Sequence, residues 1–232
     1  MSHPSLDKII ETVRSPTRRA LNAFGIRRAP RVHNAFATHL PLLVGAARLF
    51  KPRRIAEFGC GRHSTLTFLD RRAFPELEIL HSYETDAGWA SEMAGLTKTD
   101  ARVRFTAVPG PMSLAARDVD FHRYDLVFID DSLTYEERAE TIHAVAAGCD
   151  ASNLIMIHDF ESPLYRQAAT AFQHSFAFTA LLPQTGLAWN NAAVEVKNLS
   201  RLDALVKRHA RRIKPEDLEG WTRLIRGKDW AR

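Results

Sequence analysis

Short apolar runs alternate along most of the chain with stretches in which apolar residues recur every three or four positions. The runs cover residues 53–58, 78–84, 103–108, 124–130 and 153–159, and helix candidates lie between them at about 63–73, 86–95, 134–148 and 162–173. Strands that are apolar throughout, separated by helices, predict a parallel sheet covered on both faces. The helix after the fourth run carries a start signal. Thr134 and Glu137 form a capping box, and Tyr135, Arg138 or Ala139, Ile142, Val145 and Cys149 follow at helical spacing.

The pattern changes at both ends. Short basic helices broken by Pro16 and Pro30 precede THLPLLVGAARLFKP, a helix with Leu40, Leu43, Val44 and Ala47 on one face and Pro52 behind it. After residue 174, two strand-like runs joined by Pro183-Gln184-Thr185-Gly186 predict an antiparallel pair that finishes the sheet. The tail reads as two helices, the first capped by Ser200 with Asp203, the second opened by Pro215 and closed by Gly227. The expected organisation is a basic helical lid or extension at 1–50, a core at 51–197 and a basic helical extension at 198–232.

Composition narrows the class. At 232 residues, 45% apolar and 25% charged, the chain has the balance of an ordinary globular protein. No apolar run approaches the roughly 18 residues of a membrane span, and the N-terminus lacks a signal-peptide core, so a soluble cytoplasmic protein is expected. Cys60 and Cys149 show neither metal-type nor redox-type pairing, which agrees with a reducing compartment. The net charge of +5 is uneven: residues 1–55 carry eleven Lys and Arg against two Asp and Glu, while 56–200 carry eleven against twenty. A solvated face explains such ends, as does an anionic partner. Interleaved aromatics are missing, which weighs against nucleic acid.

Chemistry enters at Glu57-Phe58-Gly59-Cys60-Gly61, where the first strand meets the first helix. Glycine at such a turn admits a ligand that a Cβ would exclude, although many turns need glycine for their dihedral angles alone. Glu84 ends the second strand twenty-three positions after Gly61, where an acid can accept both hydroxyls of a ribose. A nicotinamide dinucleotide asks for a third small residue where Ser64 stands and for no acid ahead of the glycines. Glu57 suits a ligand with a cationic amino-acid end.

IAEFGCG, HSYETD and YDLVFIDD together resemble the motifs of the class I S-adenosylmethionine-dependent methyltransferases, over roughly residues 50 to 195. GRHSTLTFLD, SYETDAGWA and IMIHDFESPLYRQA are similar to a subgroup acting on small molecules. The resemblance implies a Rossmann-like, doubly wound, seven-stranded sheet and S-adenosylmethionine as cofactor. The turn from Glu57 through Phe58, Gly59, Cys60 and Gly61 would lie against the methionine part, with Glu57 near its ammonium or orienting the loop. Ser64 and Thr65 would donate to its carboxylate, Glu84 would hold the ribose, Thr85 and Trp89 would border the adenosine, and Asp130 would stand beside the cofactor. Trp89 as ordinary core is the competing reading.

Asp130, Asp131, His158 and Asp159 end the fourth and fifth strands, where open α/β sheets build their crevice. Methyl transfer needs an aligned acceptor relieved of a proton, and His158 is the expected base, with Asp130 and Asp159 beside it. In catechol-type O-methyltransferases, carboxylates at these strand ends and an Asn hold Mg²⁺. Asp130 and Asp159 occupy comparable positions, but Phe160 follows Asp159, so one ligand is missing. Arg166 is the candidate grip on an anionic acceptor, against a surface salt bridge as the plain alternative, and Asp131 is a further candidate for substrate binding. His33 and His39 lie in the basic segment that would cover the crevice. The expectation is O-methylation of a small, anionic or sugar-like acceptor. Its rivals are a cofactor-binding scaffold without turnover and an NAD-dependent oxidoreductase, although no Tyr-x-x-x-Lys motif is present. Apolar helices outside the sheet, such as Leu40 to Leu49, offer a surface for a homodimer.

Overall fold

A computed structural model describes residues 34–131, 134–191, 193–227 and 230. Of the basic segment expected as a lid or extension over 1–50, residues 1–33, with His33, lie outside the described residues. Five parallel strands form the body of the sheet: β1 (Arg54–Phe58), β2 (Ile79–Glu84), β3 (Val103–Ala107), β4 (Leu126–Ile129) and β5 (Leu154–His158). β6 (His174–Phe178) and β7 (Thr185–Trp189) complete it as an antiparallel pair, with β7 against β5. The strand order β3-β2-β1-β4-β5-β7-β6 reverses between β1 and β4, the point at which open α/β sheets place their ligand crevice, at the C-terminal ends of the strands.

Both faces of the sheet are covered, which explains the unbroken apolar runs. Ile55, Leu126 and Phe128 belong to one core, whereas Ala56, Phe58, Val127 and Ile129, at alternate positions, belong to the other. The first core is closed by α1 (Leu40–Phe50), α2 (Ser64–Leu69), α7 (Val196–His209) and α8 (Leu218–Gly227). α4 (Met112–Arg117), α5 (Tyr135–Gly148) and α6 (Pro163–Ala168) close the second. α3 (Ala87–Thr97) packs beside β2 and β3.

The terminal helices are therefore structural. Leu202 of α7 lies so close to Gly45 of α1 that a Cβ there would come within 2.2 Å of its side chain, and Trp221 and Ile225 of α8 are fully buried. The face of α1 considered for subunit pairing is covered by these helices of the same chain. Among the described residues no helix is long and apolar enough to cross a membrane.

Local signals held or yielded according to what surrounds them. Thr134 caps α5 as expected, its hydroxyl oxygen accepting from Glu137 N at 3.4 Å. Ser200 does not cap α7, which starts four residues earlier at Val196. Asp203 instead accepts from the backbone N–H groups of Thr179 and Ala180, both at 2.9 Å, because these donors beyond the end of β6 have no strand partner. The turn expected at 183–186 is displaced, since Thr185 and Gly186 already pair with β5. α4 was not expected at all: its six residues are too short to show a period.

Candidate active site

The turn after β1 is built on carboxylates whose partners are hydroxyls and backbone amides. Glu57 is fully buried and accepts from Thr65 Oγ1 at 2.8 Å and from the Ser82 hydroxyl. Thr65 Oγ1 in turn accepts from Gly61 N at 3.1 Å. Glu57 thereby orients the loop, and the Thr65 proton is committed within the protein. Burial pushes the Glu57 carboxyl up to about 7, against the pull of the Ser64, Ser82 and Thr65 hydroxyls.

Glu84 ties the same turn to β2. Its carboxylate accepts from Cys60 N at 3.1 Å and from Asp86 N at 3.0 Å, with the Thr85 hydroxyl at 3.4 Å, and the residue stays 7% exposed at the crevice edge. Trp89 lies across the turn, its Nε1–H donating to Cys60 O at 2.8 Å, and is half-buried rather than core. The two glycines do different work. Gly59 has φ +86°, and a Cβ there would meet Asp130 O at 2.2 Å, so it lets the turn pack on the end of β4. At Gly61 a Cβ would meet only Ser64 Oγ, at 3.3 Å, which leaves an open cradle beside the backbone. Phe58 is core, stacked on Tyr83 with centroids 5.0 Å apart.

The other half of the crevice is built from ion pairs. Arg138, in the second turn of α5, reaches Asp130 Oδ1 and Asp159 Oδ2, both at 3.0 Å, and its plane lies over Tyr165 at 5.4 Å. His158 Nδ1 stands 3.2 Å from Asp130 Oδ2, and its Nε2 is 3.0 Å from Thr38 Oγ1. Burial opposes the charge on Asp130, but His158 and Arg138 override it and hold the carboxyl well below its usual range. Burial likewise opposes the charge on His158; Asp130 outweighs it and raises the imidazole. Asp159 adopts φ +55°, a left-handed conformation uncommon for a side-chain-bearing residue, which turns its carboxylate back to Arg138.

Several expected residues face elsewhere. Asp131 turns beneath β4 to accept from Thr141 Oγ1 at 2.7 Å, and burial pushes it up to about 6. Arg166 donates to Phe160 O and to Gln184 Oε1, both at 2.9 Å, bracing the loop after β5. Phe160 is buried against Gly186, where a Cβ would come within 2.4 Å of its ring. The position that would supply an Asn ligand to Mg²⁺ is thus part of the core, and the space between Asp130 and Asp159 is bridged by the Arg138 guanidinium. A catechol-type Mg²⁺ site does not fit this arrangement.

Sequence reasoning missed Arg138, which it counted as a helix-face position, and, in the segment expected over the crevice, it named His39 but neither Asn34 nor Thr38. Asn34 Nδ2 lies 3.0 Å from His63 Nε2, and Thr38 meets His158, so this segment touches both halves of the crevice. A single buried arginine leaves little local signature; the nearest signal was an Arg among the apolar positions of α5.

The sheet order is that of the Rossmann-like methyltransferase fold. Among solved structures the chain is similar to spermidine synthase from Thermotoga maritima, at 13% identity and TM-score 0.50 over 68% of this chain and 60% of that one. It is similar to the methyltransferase domain of bacterial CtHen1-C, at 12% identity and TM-score 0.50 over 68% of this chain and 100% of that one. A third likeness is to an O-methyltransferase family protein from Burkholderia thailandensis, at 14% identity and TM-score 0.48 over 66% and 57%. The chain thus spans about 60% of the length of the spermidine synthase it matches. At these identities the likeness shows the fold. No family model matches the sequence, and no curated protein matches it significantly.

Proposed function

We propose that the protein is an S-adenosylmethionine-dependent methyltransferase acting on a hydroxyl of a small acceptor. The observation that carries this reading is the contact of the two halves: the glycine turn after β1 packs directly on the end of β4, which presents Asp130 to His158. The residues fit the cofactor. Gly61 leaves a cradle, Glu84 stands at the edge with lone pairs beyond those its amide partners use, and Thr85 and Trp89 flank it.

S-adenosylmethionine supplies an electrophilic methyl group when bound. The chain's own work is alignment and proton removal. Glu57, through Thr65, holds Gly61 and the turn in place. In the metal-free protein His158 takes the acceptor proton at Nε2, the nitrogen that now faces Thr38 Oγ1, while Asp130 steadies the imidazolium at Nδ1. Arg138 keeps Asp130 ionised for that role.

Calorimetric titration with S-adenosylmethionine and S-adenosylhomocysteine tests the reading. Binding of both is expected; folded protein that binds neither defeats it. His158→Ala is expected to keep cofactor binding and lose turnover, and full activity in that variant would remove the base assignment. Binding without transfer to any hydroxyl acceptor would leave a cofactor-binding scaffold.

A further inference from the structure

His39 is the buried group that methyl transfer leaves without a task. It precedes α1, is 2% exposed, and among the described residues neither ring nitrogen has a hydrogen-bond partner. Burying two imidazole nitrogens unpartnered is costly unless something fills the space they face. The ring lies edge-on to His158, centroids 4.8 Å apart, and against Phe128 at 5.1 Å. With Asp130 it forms a group in which one ligating atom from each of His39, Asp130 and His158 lies within 4.8 Å of the others.

The contacts of His158 suit two tautomers. With its proton on Nδ1 it donates to Asp130 Oδ2 at 3.2 Å and leaves Nε2 to the Thr38 hydroxyl at 3.0 Å, the form that can serve as base. With its proton on Nε2 it donates to Thr38 Oγ1, whose own proton reaches Ala35 O at 3.3 Å, and Nδ1 then offers a lone pair beside Asp130 Oδ2, where a metal ion takes the place of the proton. Ligating imidazoles commonly give their far N–H to a fixed acceptor, which sets tautomer and ring orientation, and Thr38 is such an acceptor. Arg138 holds the other oxygen of Asp130 at 3.0 Å and so orients the carboxylate.

We propose that His39, Asp130 and His158 bind one first-row transition-metal dication, zinc or iron(II), at the floor of the crevice. Two imidazoles and one carboxylate favour such ions over Mg²⁺, and three protein ligands leave positions open for an acceptor oxygen. With bonds of about 2.1 Å around a tetrahedral ion, the ligating atoms stand roughly 3.4 Å apart, so the rings swing inward on loading. The ion takes the place of the proton on His158 Nδ1. In the loaded protein an acceptor hydroxyl on an open position would be acidified by the ion and give its proton to solvent water, and the imidazole is no longer the base. Metal binding itself does not depend on the methyl-transfer reading.

The test uses untagged full-length protein stripped with a chelator and titrated with Co²⁺, followed by visible absorption and calorimetry. One ion per chain is expected, displaced by Zn²⁺ and indifferent to Mg²⁺. His39→Ala is expected to weaken binding by at least about tenfold. Pulsed EPR of Cu²⁺-loaded wild-type protein should show two coordinated imidazoles and needs no variant. Folded wild-type protein that binds neither Co²⁺ nor Zn²⁺, unchanged affinity in His39→Ala, or fewer than two imidazoles on Cu²⁺ each overturn the proposal. S-adenosylmethionine binding is measured on the same preparation, so failure of the metal site and failure of the methyl-transfer reading are separate outcomes.

Discussion

Glu57 lies in β1 and Asp130 just past the end of the adjacent strand β4, yet their environments drive them in opposite directions. Glu57 meets only hydroxyls, and burial pushes it up to about 7. Asp130 meets Arg138 and His158, which override burial and hold it well below the usual carboxylate range. Burial alone therefore does not fix the charge of a carboxylate; the partner's charge does. The turn after β1 is a neutral scaffold that shapes a cradle. The ends of β4 and β5 form a charged assembly in which one arginine faces three acids, Asp130, Asp159 and, at 3.7 Å, Asp131.

The sharpest way to break this contrast is Arg138→Met. Asp130 and Asp159 would face one another with His158 alone to balance them, and breaking such a buried network is expected to cost about 3–5 kcal/mol. Urea denaturation measures it; a loss below about 1 kcal/mol would mean the guanidinium is not what holds the acids. Gly59→Ala comes next. Its Cβ would collide with the Asp130 carbonyl at a left-handed φ, so about 3–4 kcal/mol of overpacking and strain is expected. Gly61→Ala, by contrast, should leave the melting temperature nearly unchanged while weakening S-adenosylmethionine binding, since only Ser64 Oγ is near.

The neutral half can be read by pH. Glu57 is raised in the folded state, so its stabilising contribution is fully present below about 4.5 and is lost as pH rises through about 7. Roughly 3 kcal/mol is at stake, and Glu57→Gln should remove that slope from the wild-type profile of urea midpoints. A variant profile parallel to wild type would place the titration elsewhere, with Asp131, pushed up to about 6, the next group to examine. The smallest effect is expected far from the crevice. Asp203→Ala strands the N–H groups of Thr179 and Ala180 and should cost about 1–2 kcal/mol, with no change in cofactor affinity.

Much of the neutral half was legible because its partners are close in the chain. Glu57, Gly61 and Thr65 span nine consecutive positions, and Glu84 ends the next strand. The charged half was legible only as isolated acids and a histidine. Asp130 and His158 were visible at strand ends, but Arg138 looked like an ordinary helix position and His39 like part of a basic extension. Arg166 carried the right chemistry for an anionic acceptor and Asp131 stood at a strand end, but Arg166 braces the loop after β5 and Asp131 accepts from Thr141.

The sequence by itself determined the elements, the doubly covered sheet and the glycine turn, because these follow from apolar periodicity and from backbone needs that act over a few residues. Tertiary structure decided which charges meet. Thr38 and His158 are 120 residues apart along the chain, and Arg138 and Asp159 are 21 apart. No local pattern encodes such pairs, since a side chain's partner across a crevice is set by how whole strands and helices pack, and so are its protonation and its capacity to hold an ion.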